Sequence, residues 1–238
     1  MWPLAGERVR GTSERMKLNW KPARMPERRV LEGQSARLEP LDPARHAADL
    51  FVAAQGPGAD PHLWDYLSVG PFADRTGFDQ YLHAAAKTDD PLVFAIIADG
   101  KPRGVAGYMR ITPAHGVIEI GGIWFGVGLQ RSPAATEAIF LMARHAFDDL
   151  GYRRLEWKCN AENARSRRAA ERFGFSFEGI FRQHMVVKDR NRDSAWYAML
   201  DGEWPSRRAA FARWLDAANF DARGAQRESL TDIHRKIR

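Results

Sequence analysis

The hydrophobic positions along the chain change period several times, and each change marks an element. Ala36-Arg-Leu-Glu-Pro-Leu41 alternates apolar and polar residues and predicts a short strand. Asp42-Pro43 then sets a capping side chain ahead of a proline at the first helical position. The helix so begun carries His46, Leu50 and Phe51, and Gln55-Gly56-Pro57-Gly58 ends it. Leu63, Trp64, Tyr66 and Leu67 fit a short helix or turn over 60–68, and Asp74 caps a further helix bearing Phe78, Tyr81 and Leu82. Leu92–Ala98 is an unbroken apolar run of strand length, and Asp99-Gly100 behind it is a hairpin signal. Strands over 105–112 and 116–125 follow at short intervals, which predicts an antiparallel meander.

Beyond residue 130 the period lengthens. Ser132-Pro133 starts a helix, Ile139, Ala143, Phe147 and Leu150 recur at helical spacing, and Gly151 stops it. A strand over 154–159 comes next, then a helix from Asn163 to Phe173 closed by Gly174. Strands over 175–187 and 194–200 complete the pattern, and a last helix carries Trp204, Phe211, Trp214 and Leu215. The order β-α-α-β-β-β-α-β-α-β-β predicts a single α/β domain, α+β in arrangement. Its central sheet is mixed, mostly antiparallel and flanked by helices. The domain is expected over 34–220, with a partly disordered basic N-terminal arm over 1–33 and a basic C-terminal tail over 221–238. Met16 is an alternative start, which would make 1–15 an upstream extension.

Composition narrows the classes. The 238 residues are 45% hydrophobic and 28% charged, which excludes a wholly disordered or fibrous chain. No apolar run nears the roughly 20 residues of a membrane helix. The lone cysteine, Cys159, rules out an intramolecular disulfide and a Cys-based zinc site, and fits a cytoplasmic protein. The histidines lack His-x3-His or His-Glu-x-x-His spacing, so no metal site is expected. The net charge of +6 points to an acidic partner such as nucleic acid, but its distribution weakens that reading. Residues 1–30 carry +5 and residues 223–238 carry +3, which leaves the body at −2. The termini are then candidate steering arms.

The chemistry concentrates between Glu119 and Phe175. The strand ending in Ile123-Trp124-Phe125 leads through Gly126-Val-Gly-Leu-Gln-Arg-Ser-Pro-Ala-Ala-Thr-Glu137 into a helix. A helix N-terminus is an anion site by its free N–H groups and dipole, although an ordinary loop and cap would read the same. The stretch from Gly151 to Phe175, with Asn163, Gly174 and Phe175, resembles the second half of the GNAT acetyltransferase core. Asn163-Ala-Arg-Ser166 is similar to the Asn-x-x-Ser form of the RimJ/RimL-like branch, which acetylates protein N-termini and other amines. Gln130, Thr136 and Glu137 fit the acetyl-CoA loop of that branch, and the resemblance covers roughly residues 31–217.

The resemblance implies acetyl-CoA as co-substrate and no metal. It implies cofactor contacts from the backbone of Ile123, Trp124 and Phe125, from the loop Gln130, Arg131, Ser132, Pro133, Ala134, Ala135 and Thr136, and from Asn163. Two departures stand out: Pro133 replaces the first glycine of the usual loop, whose last Gly/Ala place Ala135 fills, and Ala170 stands where many members carry a proton-donating Tyr. Residues 163, 166, 167 and 170 share one helix face. Ser166 is thus the candidate proton donor to the thiolate, or simply a first-turn serine. Arg167 meets a CoA phosphate or is a solvated surface arginine. Glu119 points opposite to Ile118 and Ile120, as a general base or as a salt-bridge partner. Trp64, Tyr66 and Phe72 line an amine pocket or pack their segment onto the sheet, and His184 faces the acceptor or is structural. Cys159 reads as a buried small hydrophobe.

The leading expectation is an N-acetyltransferase that transfers acetyl from acetyl-CoA to a primary amine, a protein N-terminal α-amine first. A polyamine, an aminoglycoside-like amine or an aminoacyl nucleotide is the alternative acceptor. A non-catalytic RNA- or ribosome-binding module is the reading from another class. No membrane partner and no direct nucleic-acid ligand are expected, and the resemblance allows a homodimer.

Overall fold

The structure is a computed structural model that describes residues 19–237. Strands β1 (Leu31–Glu32) and β2 (Arg37–Pro40) precede helices α1 (Pro43–Gln55) and α2 (Arg75–Ala86). The meander β3 (Leu92–Ala98), β4 (Lys101–Thr112) and β5 (Val117–Phe125) follows. Then come α3 (Pro133–Arg144), β6 (Arg154–Asn160), α4 (Ala164–Arg172), β7 (Ser176–Val187) and β8 (Arg190–Leu200), and α5 (Trp204–Leu215) and α6 (Leu230–Lys236) end the chain. The expected order holds, with β1 and α6 added.

The eight strands form one sheet in the order β1-β2-β3-β4-β5-β6-β8-β7. Neighbours are antiparallel except β5 and β6, which are parallel because α3 crosses between them. All four capping side chains read from sequence accept backbone N–H groups: Asp42 from Ala44, Asp74 from Gly77, Ser132 from Ala135 and Asn163 from Ser166. Each satisfies a donor that the helix itself leaves free.

The sheet is buried on both faces. Phe94, Ile96, Tyr108, Ile118, Ile120, Leu155 and Tyr197 face the core under α3, α5 and α6. Val93, Ala95, Ile97, Val105 and Trp124 face a smaller core under α1 and α2. β3 feeds both cores, so its sequence is apolar at every position.

The two terminal segments differ from expectation. Residues 1–18 lie outside the described residues. Residues 19–33, expected as part of an arm, pack on the domain. Ala23 and Arg24 donate backbone N–H groups to the carbonyls of Pro113 and Leu150, Trp20 Nε1 donates to Ala114, and Leu31 is buried. At the other end, Leu230 and Ile233 of α6 are fully buried, so packing continues past residue 220. Basic side chains at both ends are engaged locally: Arg28 pairs with Asp89, Lys236 with Glu228 and Arg235 with Asp232. Within the described residues these ends are part of the body rather than free steering arms.

Candidate active site

The sheet opens in its middle. β5 and β6 pair only at Val117–Arg154, Ile118–Leu155 and Glu119–Glu156. Past Glu119, β5 stays with β4 and parts from β6. A bulge at Gly121-Gly122 bends β5 there, with Gly122 at φ +62. A side chain at Gly122 would strain the backbone, and a Cβ on Gly121 would strike Met109 at 2.2 Å. The β6-facing backbone edge of residues 120–125 is left without a strand partner. Such an edge offers N–H and C=O groups to an extended ligand.

At the end of β5 the chain turns into α3. Ser132 Oγ donates to the Leu129 carbonyl (2.7 Å) and accepts from Ala135 N–H (3.1 Å). The amides of Gln130 and Ser132 bond to Gly126 and Leu129. Pro133 has no N–H. Among the described residues, the amides of Arg131 and Ala134 have no partner, and Arg131 sits at φ +60. A groove of about 660 Å³ opens beside Ala134, lined by residues 32–37, 97–100, Gly128 and Ser132–Ala134. Free amides at a helix N-terminus beside open space fit a pyrophosphate. Gln130 bonds inward to the Phe125 carbonyl (3.0 Å) and to Asp60 (3.4 Å).

On the α3–α4 side of the opening, Asn163 Oδ1 caps α4 through Ser166 N–H (3.0 Å). Ser166 Oγ accepts from Trp157 Nε1 (3.0 Å), which fixes the hydroxyl and leaves its proton to donate. It lies beside Cys159, whose thiol burial pushes up, consistent with a packing role. Arg167 turns away from α3. Its Nε donates to the Tyr197 hydroxyl (3.2 Å), its Nη1 to the Ala161 carbonyl (3.4 Å), and the guanidinium lies over Phe177. The expectation that Arg167 meets a CoA phosphate is therefore not met in this arrangement. Thr136 is buried and accepts from Arg172 Nη1 (3.0 Å), a link between α3 and α4.

The opposite side carries a line of alternating charges. Glu119 is 2% exposed, and its Oε2 takes both Arg110 Nη1 (2.8 Å) and Lys158 Nζ (3.0 Å). Lys158 also pairs with Glu156 (2.5 Å), Glu156 with Arg154 (2.7 Å), and Arg154 with Glu178 (2.5 Å). Oε2 of Glu119 is thus a salt-bridge partner, which leaves the general-base reading to its second oxygen. Its Oε1 has no described partner. Above the line, Lys158 Nζ lies 4.0 Å from the Trp196 ring, which stacks on Phe181 at 4.2 Å. His184 Nδ1 and Ser194 Oγ are 2.9 Å apart, and Arg192 Nε donates to the same hydroxyl (3.2 Å). Burial, then the charges of Arg192, Arg110 and Lys158, push the His184 pKa below its ordinary value, which favours the neutral ring.

The aromatic residues of the 60–72 segment divide. Trp64 is 3% exposed and meets Phe72, Phe78, Tyr81 and Trp124 in the smaller core. Trp64 and Phe72 thus pack their segment into the smaller core. Tyr66 is exposed, and its hydroxyl reaches the Glu162 carbonyl ahead of α4 (3.4 Å). Asp60, from the same segment, binds Arg165 (3.0 Å) across the opening. The His62 amide, then Gln130 and Arg165, hold the Asp60 carboxyl below its usual range.

Sequence reasoning missed Arg110, Lys158, Arg192, Ser194 and Trp196. The alternation of 154–159 gives a signal for Lys158: it shares a face with Glu156, opposite Leu155, Trp157 and Cys159. Nothing local shows that Trp196, its cross-strand neighbour on β8, lies over the Lys158 ammonium.

Residues 36–176 match the acetyltransferase (GNAT) domain family. A GCN5-related N-acetyltransferase from Brucella melitensis is similar over 91% of this chain and 99% of its own, at 50% identity and a TM-score of 0.88. A Bacillus subtilis (strain 168) protein, YdaF, described as a candidate ribosomal N-acetyltransferase, is 27% identical over 109 residues. That stretch is 46% of this chain and 59% of that protein, so under two thirds of the curated relative is spanned. RimL, a ribosomal L7/L12 α-N-protein acetyltransferase, shares the fold at a TM-score of 0.61 and 17% identity, over 72% of this chain and 94% of its own. With the matched domain covering more than half of its length, and the sheet opening where a thioester arm would enter, this chain belongs to the GNAT acetyltransferase family.

Proposed function

We propose that the protein transfers an acetyl group from acetyl-CoA to a primary amine by direct attack on the thioester, and that the amine is a protein N-terminal α-amine. The observation that carries this is the parting of β5 from β6, with Glu119 at its apex on one sheet face and Ser166 on the other. Acetyl-CoA supplies the activated acetyl group. The free edge of residues 120–125, including Ile123, Trp124 and Phe125, would align its extended arm, and the amides of Arg131 and Ala134 would hold its pyrophosphate. A backbone N–H at that edge acts as an oxyanion donor.

Glu119 takes the amine proton through its free Oε1, directly or through water, while Arg110 and Lys158 fix its position. An α-amine, with pKa near 7.7–8.0, is roughly a tenth neutral at pH 7, whereas a lysine is below about a thousandth. A carboxylate already held by two cations therefore suits the α-amine. Ser166, held by Trp157 and within hydrogen-bond reach of the Cys159 thiol, gives its hydroxyl proton to the departing sulfur, the role that Ala170 leaves open. The names of the ribosomal N-acetyltransferase relatives support the same acceptor class.

Glu119→Gln and Ser166→Ala test the assignment by thiol release. Each should lower kcat at least tenfold while acetyl-CoA affinity stays within about threefold, since neither side chain holds the cofactor. Unchanged kcat in both would remove them from the reaction.

A further inference from the structure

The charge line across the opening is balanced. Arg110, Lys158 and Arg154 alternate with Glu119, Glu156 and Glu178, and each carboxylate has a basic neighbour within 3.0 Å. Arg192 stands outside that balance. It lies on β8 two residues before Ser194, past the point where β6 ends at Asn160. It is half-buried, and among the described residues no carboxylate lies within 4 Å of it. Its one described hydrogen bond, from Nε to Ser194 Oγ, leaves both terminal nitrogens free. Burial lowers its affinity for its proton against the pull of Glu119, so the site tolerates a costly unpaired charge. Arg110, whose charge acts on Arg192 and opposes it, already serves Glu119.

An arginine fork held by one bond, with two free N–H edges, matches a carboxylate or phosphate in bidentate geometry. His184 and the Phe181–Trp196 stack wall the same space, so a bound anion would be partly desolvated there. We infer that Arg192 is a specificity residue, and that the acceptor is an amine carrying an oxyanion beside it, bound by the Arg192 guanidinium while the amine meets Glu119. This rests on the acetyltransferase reading and narrows its acceptor class. The oxyanion comes from an acidic residue next to a peptide N-terminus or from the carboxylate of a small amino acid.

Matched acceptor pairs distinguish these sources: hexapeptides with Glu or Gln at the second position, and free amino acids against their amides. Thiol release should favour the anionic member of one pair type at least tenfold in KM, which also names the source. Arg192→Gln should abolish that preference, with kcat within threefold and acetyl-CoA KM unchanged. Arg192→Lys should restore part of it. Equal KM values within both pair types in the native enzyme would overturn the inference, as would an Arg192→Gln variant that keeps the preference. Thermal shift with the same pairs reads binding without turnover: stabilisation by neither anionic member also overturns it. A native protein that acetyl-CoA does not stabilise would instead fail the underlying reading, and the two failures are told apart in one plate.

Discussion

Glu137 is 6% exposed on α3, yet it serves a turn a hundred residues earlier in the chain. Its Oε1 accepts Gln34 N–H (2.7 Å), and its Oε2 accepts Ser35 N–H (2.6 Å), Ser35 Oγ (2.7 Å) and Ala36 N–H (2.8 Å). A Cβ on Gly33 would sit 2.6 Å from its carboxyl carbon, so the turn closes directly over the charge. Glu137→Gln keeps the shape and removes the charge. In the better amide orientation one N–H, that of Gln34, is left facing a donor, at about 1–3 kcal/mol. The other three bonds lose their charge assistance, at roughly 1 kcal/mol each. The loss is therefore about 5 kcal/mol, and at roughly 2–4 °C per kcal/mol for a domain of this size Tm should fall by about 15 °C. Differential scanning calorimetry of both proteins reads it. The same turn walls the groove beside Ser132–Ala134, so acetyl-CoA should also bind more weakly. A Tm within 2 °C of the native value would refute the reasoning.

Two further outcomes follow from the C-terminal helices. His234 is buried with both ring nitrogens unpartnered, and burial, then Arg207 and Arg172, push it down from 6.5 to about 4. The unfolded chain takes up this proton first as pH falls, so the contribution is intact above pH 6.5 and lost between 6.5 and 4, by up to ~3 kcal/mol. His234→Gln should flatten that part of the Tm–pH curve, and an unchanged slope would exclude the histidine. Removing residues 229–238 uncovers partners of Leu230 and Ile233, each worth about 1.5–3 kcal/mol, and urea midpoints should fall accordingly. A midpoint shift near zero would mean α6 adds nothing to the fold.

The backbone plan was legible because its signals are local. Asp42, Asp74, Ser132 and Asn163 each cap the helix that follows within three residues. Asp99-Gly100, at φ +50 and +72, supplies the turn its strands need. The N-terminal segment was not legible, because 19–33 is held by backbone bonds to Pro113 and Leu150 rather than by a periodic apolar face. The aromatic cluster was read both ways, and core packing prevailed for Trp64 because α1, α2 and β5 converge on it. Glu119 was found by alternation. Its partners Arg110 and Lys158 come from flanking strands whose register only the folded sheet sets. Arg192 stood in sequence only as one charge of Arg190-Asn-Arg-Asp193, since its meaning lies in the partner it lacks.

The central claim is that the gap between β5 and β6 receives acetyl-CoA and delivers its acetyl group to an amine. Incubating the purified protein with acetyl-CoA and a peptide bearing a free N-terminus, with the intact mass of the peptide as readout, tests this directly. The account predicts a gain of one acetyl group on the α-amine, with one thiol released per transfer, strongly reduced in Glu119→Gln. Release of thiol without peptide acetylation, or acetylation unaffected by that substitution, would contradict it.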